Sequence, residues 1–310
     1  MKLFTTKLFC LILCSTFIVS CDEGNFGKSE GDGSYDGSSI GSLNGLFSVS
    51  QFDKVYFSKG NLQYTTTGIH ENALGGTSIG TWKFAEKQYD IVGDSNAKIS
   101  ASNTGWIDLF NWGTSGWNSG AKYFQPWSTS IIANSDYYVG GSPSNNLTGN
   151  CKNGDWGNFN AISNGGNHPG IWRTMTKSEW QYLLEGRTNA EKLIGQATVC
   201  ETKGVVLLPD SWTTPQGATF TAGFASGFLT NTYDSISWTV MEKAGAVFLP
   251  AGGQRHGQEI TEIGEYAGYW TSTHAADAYA YVVIFRSGAA HIFEEGWRTY
   301  AHSVRLVRTY

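Results

Sequence analysis

Charge is what this chain has least of. Asp, Glu, Lys and Arg make up 15% of its 310 residues, well under the roughly 25% of an average soluble domain. Lys, Glu and Leu are too sparse, and the 39 glycines too many, for long helices or a coiled coil. A net charge of -5 argues against a nucleic-acid partner, which needs clustered Lys and Arg. Cysteine is scarce too: there are five, none in a CxxC or Cys/His cluster, so a structural zinc site has little support. No HExxH or P-loop occurs, which removes the familiar signatures of zincins and nucleoside triphosphatases. GxSxG matches fall at Gly27–Gly31 and Gly37–Gly41, in the Gly/Ser-rich segment ahead of the body, and at Gly76–Gly80, which leads into the apolar Trp82–Ala85 run. None stands at the strand-to-helix turn that a serine hydrolase needs. Lone Asp/Glu pairs carry no glycosidase role without measured geometry. What the chain has in quantity is 12 Trp, 15 Tyr and 17 Phe. That much aromatic surface excludes a disordered chain and predicts a compact, turn-rich, aromatic-packed body.

The first residues read as an export signal. Lys2 and Lys7 precede an apolar stretch, Leu8 to Val19, too short to span a bilayer as a stable helix. It ends in Ile18-Val19-Ser20-Cys21, which resembles a bacterial lipobox, with Cys21 as the lipid-bearing first residue of the mature protein. The competing readings are an ordinary secretory peptide and an anchor helix. Loss of Lys2 and Lys7 takes the charge from -5 to -7. Residues 21–45 are rich in Gly, Ser and acids and read as a flexible tether that buries too little to order itself. Asp22 and Glu23 resemble the acidic export signal of Bacteroidetes surface lipoproteins. In enteric bacteria an acid there marks inner-membrane retention, so the membrane and its face stay open. After processing only Cys151 and Cys200 remain, either paired or as two buried thiols.

The body, residues 46–310, opens with short apolar runs around Phe47, Val55–Phe57, Leu62–Tyr64 and Trp82–Ala85 that read as strands. From Trp106 to Trp172 the chain has almost no periodicity and repeats Trp-Gly pairs. Its tryptophans read as scaffold, with glycines permitting tight turns beside flat rings. Thr176-Lys177-Ser178-Glu179 is a capping box, and Trp180, Leu183 and Leu184 follow at helical spacing. A second helix is expected over Ser237–Ala244, stopped by Gly245. Val205–Leu208 and Ala246–Leu249 read as buried strands. Near the end, Tyr269–Thr273, Tyr279–Phe285, His291–Phe293 and Ser303–Val307 read as strands. On the second of these, Tyr281, Val283 and Phe285 are expected inward and Val282, Ile284 and Arg286 outward.

These motifs together carry a resemblance. Trp172-Arg173-Thr174-Met175-Thr176-Lys177-Ser178-Glu179-Trp180 resembles the R-L-P-T-E-A-E-W helix start of the formylglycine-generating-enzyme branch of C-type-lectin-like folds. Tyr269-Trp270-Thr271-Ser272-Thr273 and Ser303-Val304-Arg305-Leu306-Val307 resemble its closing strands. The motif order VYFSKGNLQY, GWIDLFNWGTSGW, ISNGG, VFLPAGG, YWTST, SVRLVR is closer to a set of Bacteroidetes lipoproteins, some of them targets of diversity-generating retroelements. The resemblance implies an α+β, C-type-lectin-like fold, loop-rich, with short twisted antiparallel sheets and two main helices. It does not carry the oxidase activity. Leu306 stands where that branch has its essential cysteine, so the copper-binding thiolate has no counterpart there.

In the diversified proteins, variable side chains stand on the C-terminal strands above fixed aromatics. Matched to that pattern within residues 251–310, Arg255, Gly257, Tyr269, Trp270, Ala280, Tyr281, Phe285, Arg298, Ser303, Val304 and Arg305 are scaffold. His256, Tyr266, His274, Tyr279, Ile284, Arg286, His291, Phe293, Trp297, Tyr300 and His302 are displayed as the ligand-binding set. Mutagenised asparagine codons yield no Glu, Gln or Trp, so Glu259, Glu294, Glu295 and Trp297 fit a fixed relative better than a fully diversified one. Tyr, Trp, His and Arg are also the residue types that dominate binding hot spots. The expected protein is a lipid-anchored binding or adhesion protein of the cell envelope, on the outer-membrane surface, either a retroelement-diversified receptor or a fixed relative of one, whose partner is an external protein or glycan. The alternatives are an enzyme of the formylglycine-generating superfamily with a non-standard site, and a surface-appendage subunit. No cofactor is expected: the oxygen-rich loop of Asp155, Asn158 and Asn160 offers ligands of the kind Ca2+ takes, but its spacing matches no EF-hand and Asn/Gly loops are usually turns.

Overall fold

The computed structural model describes residues 40–118, 124–289 and 291–310. The expected signal segment, the lipidation at Cys21 and most of the tether lie outside them. The chain is built from short strands joined by long, packed turns. The first is β1 (Ser42–Ser48), which begins four residues ahead of the expected body and turns back along β2 (Lys54–Ser58). A ribbon of β3 (Leu62–Glu71) and β4 (Thr77–Phe84) follows. The aperiodic stretch contributes a two-residue β5 (Phe110–Asn111) and one turn of helix, α1 (Trp156–Phe159).

The expected capping box opens α2 (Lys177–Gln181). Thr176 Oγ1 accepts the Glu179 N–H at 3.2 Å, and Glu179 Oε2 accepts the Thr176 N–H at 2.8 Å. Arg173 clamps the same carboxylate through two nitrogens at 2.8 and 2.6 Å. The helix then widens into a π turn over Tyr182–Gly186. Next come β6 (Ile194–Val199), β7 (Thr202–Leu207), β8 (Asn231–Tyr233), α3 (Ser235–Lys243) and β9 (Val247–Pro250). α3 starts two residues earlier than expected because Asp234, not a later serine, caps it, accepting the Ser237 N–H at 2.8 Å. β6 was not anticipated. Its hairpin turns through Cys200 and Glu201, both with positive φ, where hairpins usually place Asn or Gly.

The C-terminal part holds β10 (Gln254–His256), β11 (Glu259–Thr261), β12 (Tyr266–His274), β13 (Tyr279–Arg286), β14 (Ile292–Trp297), β15 (Tyr300–His302) and β16 (Val307–Thr309). The sheets run β1-β2-β16, β11-β10-β15-β5, β12-β13-β14, β3-β4 and β8-β6-β7-β9. Every named pair is antiparallel except β6 with β8. The observed class is therefore α+β, loop-rich, with short antiparallel sheets. Ser303–Val307 is not one strand. Ser303 bridges to Tyr269, and the chain then crosses to pair Val307 with Phe57 beside the N-terminal hairpin.

Two apolar cores lie on opposite faces of the β12–β13 pair. One takes Tyr269, Val283 and Phe285 together with Phe47, Phe57 and Trp180. The other takes Trp270, Val282 and Ile284 together with Trp82, Trp112, Trp156 and Trp172. The aperiodic stretch thus has a structural role: it folds over the second face of the sheet. Trp112 donates its indole N–H to Thr271 O and Trp172 to Gly165 O, at 2.9 and 2.7 Å. Gly157 is required here, since a Cβ would stand 2.5 Å from Trp172 O. A third core joins α3 to β7 and β9. Cys151 and Cys200 are both free thiols.

Candidate functional site

Side chains alternate across a strand, so Tyr279, Tyr281, Val283 and Phe285 of β13 share a face with Phe293, Glu295 and Trp297 of β14. Val283 and Phe285 are covered by the first core. Towards the Tyr279 end the cover thins, and the face becomes surface. The rings of Tyr279 and Trp297 pack at 4.4 Å between centroids, and Trp297 remains 45% exposed. Lys177, the first residue of α2, sets its Nζ 3.8 Å above the Tyr281 ring, a cation–π contact of roughly 0.5–1 kcal/mol where solvent reaches it. At the other end of β14, His291 lies edge-on to Phe293 at 5.9 Å. Its Nε2 is 3.0 Å from Glu185 Oε1 on the π turn, and this hydrogen bond lowers the Glu185 carboxyl below its ordinary range. The result is a stripe of rings along the sheet edge, bordered by Lys177, Glu185 and Glu295 and about 20 Å long at the rise of a β-strand.

Arg298 supports this stripe from beneath. It is fully buried, stacks over Trp112 at 4.5 Å and donates to the carbonyls of Tyr279, Tyr137 and Pro143. Burial lowers its pKa to about 10, so it stays charged at neutral pH. It fastens the start of β13 to the loop that covers the second core.

Four of the expected display residues, Tyr279, His291, Phe293 and Trp297, fall in the stripe. Four others stand elsewhere. His256 and Tyr300 stack on each other at 4.5 Å on the β10–β15 pair. His274 holds Asn146 Oδ1 through its ring Nδ1 and its backbone N–H, at 2.7 and 2.9 Å. Arg286 points to the opposite side of β13, where it pairs with Glu262 and covers Tyr266.

Tyr266, Ile284 and His302 are corrections. They are 3%, 1% and 2% exposed and belong to the interior. A lone strand with one apolar and one mixed face reads as half-exposed, whereas the aperiodic stretch covers that second face. Tyr281, read as scaffold, is only half-buried and joins the stripe. Lys177 and Glu185 were not anticipated; they lie about a hundred residues from β13 and carry no local signal. Arg255, Tyr269, Trp270, Phe285, Arg298 and Arg305 are buried, as expected of scaffold. In the oxygen-rich loop, Asp155 accepts the N–H groups of Gly157, Asn158 and Thr174. Asn160 donates to Ser115 O and Trp156 O. These groups hold backbone in place, and among the described residues no cluster of three His, Cys, Asp or Glu could hold a metal.

Burial of His302 has a measurable consequence. Its ring is edge-on to Trp270 at 4.6 Å, and desolvation lowers its pKa from 6.5 to about 3. Below pH 6.5 the unfolded chain takes up a proton that the folded one refuses, so stability falls as pH drops towards 3. The full effect is about 5 kcal/mol, at roughly 1.4 kcal/mol per pH unit. Asp108 and Asp155 act in the opposite sense, since burial raises both to about 6 and acidification between 6 and 3.8 relieves that cost. A His302→Phe variant isolates the histidine. Urea midpoints at about pH 7.5 and 4.5 should show the wild type losing about 3 kcal/mol more than the variant. Equal losses would contradict a neutral, buried His302.

No protein-family model matches this chain, and no curated protein or solved structure matches it.

Proposed function

We propose that this chain is a ligand-binding protein of the cell envelope, with a C-type-lectin-like body held on a lipid at Cys21. Its aromatic stripe grips an external protein or glycan. The observation that carries this reading is the Tyr279–Trp297 pair, half open to solvent beside Lys177 and Tyr281 on a sheet packed on both faces. Rings mounted on a stiff sheet lose little freedom on binding, which favours affinity. Binding without turnover is supported by Leu306, which lies fully buried where the resembling enzymes carry a reactive thiol. Display of only part of the expected set, together with Trp297 in it and Glu259, Glu294 and Glu295 on the neighbouring strand positions, favours a fixed receptor over a fully diversified one.

The test is adhesion. Cells carrying the full chain are panned against arrays of glycans and of surface proteins, beside cells carrying the Tyr279→Ala/Trp297→Ala variant at equal surface density. A target bound by the first and lost by the second supports the proposal, and an unchanged set of bound targets rejects it. Anchoring has its own check. Metabolic labelling with a radioactive or alkyne fatty acid should mark the wild-type chain and leave Cys21→Ser unlabelled and released from the membrane fraction. Label on the serine variant would end the lipid-anchor reading.

A further inference from the structure

The β3–β4 ribbon and the tryptophan-rich stretch enclose an open cavity of about 390 Å3, within the range of small-molecule sites. No residue of β13 or β14 borders it. Trp127, half-buried, forms one wall and also borders an adjoining groove of about 540 Å3. Trp82 forms part of the floor. It is fully buried, yet its Nε1–H has no partner. Of the buried indoles left in that state, Trp82 is the one bordering this cavity. An unpaired buried donor is costly and calls for an acceptor.

The remaining lining sets the chemistry. Among the described residues it includes Thr66, Ser78 and Gln125 and contains no Asp, Glu, Lys or Arg. Both ring nitrogens of His70 are already engaged, with Gly80 O and Asn160 Oδ1. Burial pushes the Tyr64 phenol up to about 12, so it stays neutral. We propose that this cavity is a second binding site, separate from the aromatic stripe, for an uncharged, hydroxyl-bearing ring of hexose size. The apolar C–H face of such a ring packs on Trp127, whose π face is electron-rich. Its hydroxyls meet Gln125 and the two hydroxyl side chains, and one oxygen accepts the Trp82 N–H.

A ring of about twelve non-hydrogen atoms in an ordinary site binds with a Kd on the order of 1 mM. The full chain is titrated with methyl glucoside, methyl galactoside, N-acetylglucosamine and glucuronate. The indole N–H resonance of Trp82, assigned through Trp82→Phe, is followed throughout. At least one neutral sugar should saturate and shift that resonance. Trp127→Ala should weaken it at least about tenfold and Gln125→Ala about threefold, while Trp297→Ala leaves it unchanged. If Trp127→Ala fails to fold by near-ultraviolet circular dichroism, Gln125→Ala decides. The proposal is overturned if no neutral sugar saturates by about a hundred times the expected Kd, or if glucuronate binds tightest. It is overturned equally if the folded cavity variants bind as the wild type does, or if Trp297→Ala removes the binding. Because the Trp297 variant separates the two sites, this result and that of the adhesion test are independent.

Discussion

Replacing Arg298 with methionine is expected to destabilise the fold by about 4 kcal/mol. Its guanidinium serves three carbonyls, those of Tyr279, Tyr137 and Pro143, from a fully buried position. Methionine fills the space yet leaves the Tyr137 and Pro143 carbonyls without their donor, at about 1–3 kcal/mol each before relaxation, while Tyr279 O keeps the Ala275 N–H at 3.1 Å. For a chain of this size the melting temperature should fall by about 8–16 °C. Arg298→Lys should recover only part, because a single ammonium cannot span the three directions that the planar fork reaches. Thermal denaturation followed by circular dichroism measures this directly. A shift under about 3 °C for the methionine variant would show that the Tyr137 and Pro143 carbonyls find other partners.

The second large effect is on binding. Tyr279→Ala/Trp297→Ala should weaken attachment to whichever array target the wild type selects by at least about 30-fold, the loss expected when a central aromatic hot spot is removed. The two rings touch at 4.4 Å, so the single variants should not add: each alone should give most of the loss. Stability should change little for Trp297, which is nearly half exposed. His256→Ala, on the separate β10–β15 pair, should bind as the wild type does. If His256→Ala abolishes binding and the double variant retains it, the binding face lies on the other sheet.

Much of the fold was legible in the sequence. The capping box of α2, the Gly245 stop after α3 and the inward Val283 and Phe285 all rest on local patterns. A cap, a positive-φ stop and an alternation of period two need only neighbouring residues. Strands without a clean pattern were lost. β6 contains Gly195 and Gln196 and turns through Cys200 and Glu201, so its hairpin shows no turn signal. Seven of the eleven expected display residues fell outside the stripe for a related reason: position along a strand does not say which sheet, or which side of it, a residue reaches.

By itself the sequence determined composition class, the local elements, the aromatic scaffold and the absence of a cysteine at position 306. Only the tertiary structure decided exposure. Ile284, Tyr266 and His302 are interior because a stretch without periodicity folds back over β12 and β13, and Tyr281 is surface because the first core ends short of it. The stripe likewise depends on Lys177 and Glu185 arriving from a helix far away in the chain. Burial is a property of what covers a residue, and that cover is long-range, with no trace in the residue's own neighbours.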